Sequence, residues 1–303
     1  MRASTPLLFA VPLVGLLELM AHEYFARRAP SLQQWANVRE PVRQLQQPGD
    51  PVVVAPYWAE PLARHVLGSM VMPLREVARP DLTGYRRAVE VSLLGEQPAE
   101  LEGWRVVEER RVADKFLVRL RENPAPADVR FDFVDALGPA EVTVTAATRA
   151  CPWREHARRM TGGLHGPMAF PEQRFQCPGG GPYFVGVTVV DDEQYRPRRC
   201  IWAHPVRGGT LTIRYRGVPL GRVIRGHGGL SWFLMRDGMG SPIELTVRID
   251  GEMVGAYVHR DEQGWNRFEL PTGRHEGTSA EVEFEISSQD PRNRNFCFHA
   301  DTR

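Results

Sequence analysis

Hydrophobic and polar positions alternate with a period of two along much of the C-terminal part of the chain. From Pro242 to Ile249, Ile243, Leu245, Val247 and Ile249 fall on one side, and Glu244, Thr246 and Arg248 on the other. That is the pattern of a half-buried strand in an antiparallel sheet. Ser279–Ser287 repeats it, with Val282, Phe284 and Ile286 inward and Glu281, Glu283 and Glu285 outward. Gly209–Arg216 does the same through Leu211, Ile213 and Tyr215. Shorter candidates lie at Tyr183–Val190, Leu230–Arg236, Met253–Arg260, Trp265–Leu270 and Asn295–His299, and Asp250-Gly251 is a strong hairpin signal. Short strands spaced by roughly 8–12 residues, with no helical pattern between them, predict a β-sandwich or jelly roll over residues 183–303.

The N-terminal pattern differs. Leu7–Met20 is an apolar run broken only by Glu18, and aromatics and Arg27-Arg28 follow it. Three readings stay open: a membrane helix over residues 5–27, a cleaved signal peptide, or an apolar helix of a soluble protein. The membrane anchor is the preferred one. Ser31–Gln47 has apolar residues at helical spacing, with Ser31 placed to cap it. Pro51–Tyr57 reads as a buried strand, Glu60–Leu67 as a short helix and Ala88–Leu94 as a strand. Val106–Glu109 with Lys115–Arg121 reads as a hairpin. This order predicts a small α/β domain over 31–122. Residues 123–182 follow as a linker, two strands (Val129–Leu137 and Ala140–Thr148) and a Gly/Pro-rich loop. The expected fold class is α+β overall.

Charge is balanced at +1, yet residues 151–240 are net +7 and residues 241–303 net −5. Of the 38 basic residues only Lys115 is Lys. The cysteines are Cys151, Cys177, Cys200 and Cys297, and no Cys-x-x-Cys spacing supports a zinc site. In an oxidising compartment they would form two disulfides. Of three possible pairings, Cys151–Cys177 with Cys200–Cys297 is favoured. The first staples a segment with little pattern, and the second ties the start of the sandwich to its end. Four reduced, buried thiols are the alternative. A membrane-anchored, extracytoplasmic protein of the periplasm or cell surface is the expected setting.

Two stretches carry resemblances. Val247-Arg-Ile-Asp-Gly-Glu-Met-Val-Gly255, followed by Gly264-Trp265-Asn-Arg-Phe268, resembles the galactose-binding-like jelly rolls of carbohydrate-binding modules. This resemblance implies a sandwich over about the last 120 residues and, with it, glycan binding. The apolar N-terminal segment, the run from Trp35 to Trp58 with its Pro48-Gly49-Asp50, and the Val91-Ser-Leu-Leu-Gly95 strand resemble the soluble tail of multi-span glycosyltransferases that use polyprenyl-phosphate sugars. The catalytic loops of those enzymes lie between helices that this sequence lacks, so the activity is not implied.

No catalytic motif survives inspection. His227-Gly228-Gly229 is similar to the oxyanion loop of esterases, but no G-x-S-x-G elbow accompanies it. Asp191-Asp192-Glu193 has oxygen ligands of the calcium type, though a solvated turn is the preferred reading. His259 beside Asp261 has the chemistry of an acid–base pair or of an ordinary hairpin end. No cofactor, metal or nucleic-acid partner is expected. One constellation remains. Nine arginines between Arg196 and Arg236 are interleaved with Trp202, Tyr215, Trp232 and Phe233. Guanidinium forks beside aromatic faces suit sugars and anionic glycans. Trp202, Arg222, Arg225 and Trp232 are the expected ligand-binding residues. The expected function is non-catalytic recognition of a glycan or envelope polymer, with the membrane as second partner. The alternatives are an enzyme part, as a glycosyltransferase accessory tail or a hydrolase, and a purely structural envelope module.

Overall fold

The computed structural model describes residues 5–71, 78–159, 169–193, 196–231, 238–260 and 264–303. The chain divides into two compact units, Met1–Met72 with Arg87–Glu122, and Pro73–Arg86 with Asn123–Arg303.

In the first unit, α1 (Thr5–Arg28) is the segment expected to span a membrane. Pro12, Glu18, His22 and Glu23 interrupt its apolar run. Among the described residues no helix is long and apolar enough to cross a membrane. The anchor expected over 5–27 is therefore not supported, nor is the membrane as a partner. The expected helix over Ser31–Gln47 is split into α2 (Leu32–Ala36) and α3 (Arg39–Leu45). Ser31 caps α2 as expected, in a reciprocal capping box with Gln34. Trp35, Val38, Val42 and Leu45 face the core, and Trp35 meets Phe116 edge to face at 4.7 Å. β1 (Val52–Ala55) runs parallel to β2 (Arg87–Leu93), and α4 (Glu60–Leu67) lies between them in sequence. β3 (Arg105–Val112) and β4 (Phe116–Glu122) form the expected hairpin, completing a sheet of order β1-β2-β4-β3. One charge is enclosed in this sheet: Glu90, with no exposed surface, accepts hydrogen bonds from Arg119 at 2.9 Å and Arg121 at 2.6 Å.

The second unit is a two-sheet sandwich. It takes in the strands after residue 123, so it starts well before the expected 183. Its strands in chain order are β5 (Phe131–Asp132), β6 (Val142–Ala146), β7 (Arg149–Ala150), β8 (Trp153–Arg154) and β9 (Arg174–Gln176). β10 (Phe184–Asp191), β11 (Pro197–Ala203), β12 (Leu211–Pro219), β13 (Val223–Leu230) and β14 (Ile243–Ile249) follow. β15 (Glu252–His259), β16 (Asn266–Pro271), β17 (Ser279–Ser287) and β18 (Phe296–Thr302) complete the set. One sheet has the order β16-β13-β18-β11-β10-β9-β8, with β5 on β18; the other is β15-β14-β17-β12-β6-β7. Asp250 (φ 48°) and Gly251 (φ 82°) form the expected hairpin turn, both in the left-handed region.

The alternation read from the sequence sets the core. Ile243, Leu245, Val247 and Ile249 on β14 face inward, as do Val282, Phe284 and Ile286 on β17. They meet Ile224, Phe296 and Phe298 of the other sheet. Both favoured disulfides are present, with Cα–Cα distances of 4.3 Å for Cys151–Cys177 and 5.6 Å for Cys200–Cys297. Two bridges in one module are the mark of an oxidising compartment.

Candidate functional site

The arginine–aromatic stretch does not form one surface. Tyr215 is buried between the sheets, its hydroxyl donating to the Phe133 carbonyl at 2.9 Å. Arg214, one residue before it, therefore points off the other face of its sheet, toward Glu281 at 3.1 Å and Glu283 at 3.0 Å. Trp202 lies on the outer side of the eight-stranded sheet but has no exposed surface. It stacks on Phe184 (5.5 Å, 12°) and its indole N–H donates to the Pro182 carbonyl at 2.8 Å. Trp202 cannot stack on a ligand in this fold, which corrects its expected role. Trp232, Phe233 and Arg236 lie outside the described residues.

Five of these arginines, Arg214 included, meet carboxylates. Arg198 meets Asp192 at 2.8 Å, Arg199 meets Asp135 at 2.7 Å, and the exposed Arg222 meets Glu276 at 3.0 Å. Arg225 is mostly buried and lies 2.5 Å from Glu269 and 3.7 Å from Asp81. Asp192, offered as a calcium ligand, is thus tied into the β10–β11 hairpin, where it also accepts from the Arg196 amide at 3.0 Å. Among the described residues no group of three or more His, Cys, Asp or Glu side chains could hold a metal. His227-Gly228-Gly229 is part of β13, so it is a strand and not an oxyanion loop. His259 closes β15 and its Nδ1 lies 3.0 Å from the Tyr257 hydroxyl; Asp261 lies outside the described residues.

The geometry of a small-molecule site appears elsewhere, at the end of the eight-stranded sheet. β8 and β9 pair with Trp153 opposite Phe175, and the Cys151–Cys177 bridge fixes them together. A cleft of about 390 Å³ opens beside them. Leu137, Trp153, Pro171 and Val187 supply its apolar lining. Glu155, His156, Arg159, Glu172 and Gln173 supply polar groups around it. Trp153 is partly exposed, and its ring is propped edge to face on the buried Phe175 at 4.8 Å. Its indole N–H donates to Glu155 Oε1 at 2.6 Å, while Gln173 donates to Glu155 Oε2 at 3.0 Å. The Glu155 carboxylate is thereby fixed between an indole and an amide. A planar apolar ring set among fixed carboxylate, amide and imidazole groups offers stacking to the C–H face of a sugar and hydrogen bonds to its hydroxyls.

Sequence reasoning saw this segment only as a disulfide-held loop. The available signal was Trp153, an indole two residues from a bridged cysteine in a segment with no core periodicity.

No family model matches the chain, and no curated protein matches it in sequence. Solved structures similar to it include a carbohydrate-binding module, CBM51, of a Clostridium perfringens GH95 protein in complex with methyl-galactose. It has a TM-score of 0.29 at 13% identity, over 39% of this chain and 81% of that one. The CBM51-2 and INT domains of Clostridium perfringens ZmpB give 0.29 at 13% identity, over 39% of this chain and 26% of that one. The M60 catalytic domain with both CBM51 domains of ZmpB gives 0.32 at 13% identity, over 66% and 19%. The chain thus spans about a quarter of the length of the ZmpB CBM51-2 and INT structure. The expected likeness of the N-terminal unit to a glycosyltransferase tail receives no support.

Proposed function

We propose that the sandwich unit is a non-catalytic, extracytoplasmic glycan-binding module that holds a neutral sugar in the cleft beside Trp153. The carrying observation is the partly exposed indole of Trp153, held on Phe175 and hydrogen-bonded to a carboxylate that Gln173 also fixes. The ring contact and hydrogen bonds of that arrangement are formed without a ligand, and such preorganisation lowers the entropy lost on binding. The Val247–Gly255 and Gly264–Phe268 strands, with their likeness to carbohydrate-binding modules, accord with this reading.

The test is a glycan array with the full chain, followed by calorimetry on the best neutral ligand. Trp153→Ala should weaken binding by about 1–3 kcal/mol, the range found for aromatic stacking, and Glu155→Gln should weaken it less. Unchanged affinity in both variants, with the fold intact, removes the cleft from consideration. A purely structural module is the second reading, favoured by the carboxylate partners of Arg198, Arg199, Arg214, Arg222 and Arg225. It expects no glycan to bind at all.

A further inference from the structure

The edge of the eight-stranded sheet sets one arginine against another. Arg154 on β8 stands opposite Arg174 on β9 in the strand register, which places their Cβ atoms about 4.5–5.5 Å apart. Like charges so placed repel each other. Other strand arginines of the sandwich face glutamates instead: Arg214 opposes Glu283, Arg225 opposes Glu269 and Arg248 opposes Glu283.

Arg174 is only 7% exposed. Its guanidinium donates to the Gln176 side chain at 2.9 Å and to the carbonyls of Pro171 at 2.5 Å and Arg158 at 3.2 Å. It also lies over the rings of Phe184 and Phe170, 5.3 and 5.9 Å from their centroids. Carbonyls and ring faces hold a cation in place without cancelling its charge. The bond to the Arg158 carbonyl draws a third arginine to the same corner. Arg154, Arg158 and the next residue, Arg159, are exposed. Among the described residues no carboxylate pairs with any of these four arginines. From Arg149 to Arg174 the sequence holds five arginines against two glutamates, Glu155 and Glu172. Both glutamates line the cleft.

The cleft and the arginines are thus the two sides of one edge strand. Trp153 and Arg154 are consecutive on β8, so their side chains leave the sheet on opposite faces. β8 ends the sheet, and a polymer can pass round it from one face to the other. Arg159 lines the cleft as well and continues that path. The carboxylates of Glu155 and Glu172 disfavour an anion inside the cleft. The guanidinium forks beyond it match carboxylate or sulfate groups.

We propose that Arg154, Arg158 and Arg159, with the buried charge of Arg174 behind them, form a docking strip for the acidic units of a glycan whose neutral units enter the cleft. This rests on the reading of the cleft as a glycan site and narrows it. The partner is a polysaccharide that carries carboxylate or sulfate groups between neutral sugars. An unmatched cationic strip also speeds encounter with such a polymer, most of all at low salt.

The experiment measures the affinity of the full chain for two matched pairs of probes by calorimetry. One pair is a κ-carrageenan oligosaccharide and its desulfated form. The other is a partly methyl-esterified oligogalacturonate and its fully esterified form. The charged member of at least one pair should bind roughly tenfold tighter at low salt, and the advantage should fade toward about 1 M salt as screening shortens its reach. Arg154→Gln combined with Arg158→Gln should remove the advantage and leave the affinity for the neutral member unchanged. Trp153→Ala should weaken both members. Equal affinities within both pairs, or an advantage undiminished in the double variant, overturn the strip; the cleft then stands if Trp153→Ala still weakens binding. An advantage lost in the double variant but untouched by Trp153→Ala upholds the strip and overturns the cleft. Should the double variant misfold, an advantage of the wild type that ignores salt overturns the strip. Polyglutamate bound as tightly as the charged glycans overturns the assignment to a glycan, and no binding of either charged glycan overturns the strip.

Discussion

Trp202 is the residue whose placement most changes what a mutation should do. On an exposed surface, Trp202→Ala would remove a stacking ring and leave stability untouched. In this fold the indole has no exposed area, stacks on Phe184 at 5.5 Å and donates to the Pro182 carbonyl at 2.8 Å. It also packs in a cluster with Cys200, Cys297 and Val190. Truncating a buried Trp to Ala costs about 3–5 kcal/mol through lost transfer energy and the cavity left behind. An orphaned carbonyl adds to this, by about 1 kcal/mol or more. A domain is stable by only about 5–15 kcal/mol, so the variant loses a large part of its margin. The assay is urea unfolding followed by far-UV circular dichroism, with Trp202→Phe as companion. The alanine variant should show a much lower midpoint at similar slope. The phenylalanine variant, which keeps a ring for Phe184 and loses only the N–H, should cost far less. A Trp202→Ala protein with a wild-type midpoint and abolished sugar binding would refute the burial argument.

Three further outcomes follow from named contacts. The Cys200–Cys297 bridge closes a separation of 97 residues and Cys151–Cys177 one of 26. Loop-closure entropy gives about 5 and about 3–4 kcal/mol respectively, so denaturation of the paired Cys→Ala variants should show the larger loss for the first. His227 has its pKa lowered from 6.5 to about 4, chiefly by burial. The unfolded chain therefore binds the extra proton between those values. Stability should be full above about pH 6.5 and fall by up to ~3 kcal/mol on approach to pH 4; thermal melts of His227→Gln should lose that dependence. In the first unit, Glu90→Ala leaves Arg121, 8% exposed, without a carboxylate and with only the Trp104 carbonyl as acceptor at 3.1 Å, while Arg119 keeps Glu109 at 2.7 Å. Removing one partner of a buried ionic cluster costs about 3–5 kcal/mol, and an unchanged melting temperature would show that water reaches the pair.

The strands with strict alternation were legible in the sequence because one buried face leaves a period-two record. β14 and β17 are of that kind, and the Asp250-Gly251 turn is equally local chemistry. β13 was not legible. Its sequence, Val223-Ile-Arg-Gly-His-Gly-Gly-Leu230, holds three glycines, whose space is taken by the rings of Phe268, Tyr257 and Trp265 from elsewhere in the chain. Such close packing is a tertiary fact with no local signature. β11 was missed for a related reason: Trp202 and Cys200 are buried on the outer face and Ile201 on the inner, so no polar face appears. The disulfide pairing followed from where each bridge would be useful, and the structure has both bridges. The burial of Trp202 was not legible because composition cannot tell which side of a sandwich a residue takes. Trp202 and Tyr215 share a stretch of sequence but belong to different sheets, and each is buried. The cleft at Trp153 depends on β8 and β9, strands of two and three residues, too short to leave a pattern.

The most direct test of the glycan-binding reading is a crystal structure of the full chain soaked with the neutral oligosaccharide that binds best in solution. A sugar ring lying on the Trp153 indole, with hydroxyls within hydrogen-bonding distance of Glu155 or Gln173, is the expected result. An empty cleft at ligand concentrations that saturate the protein in solution would contradict it.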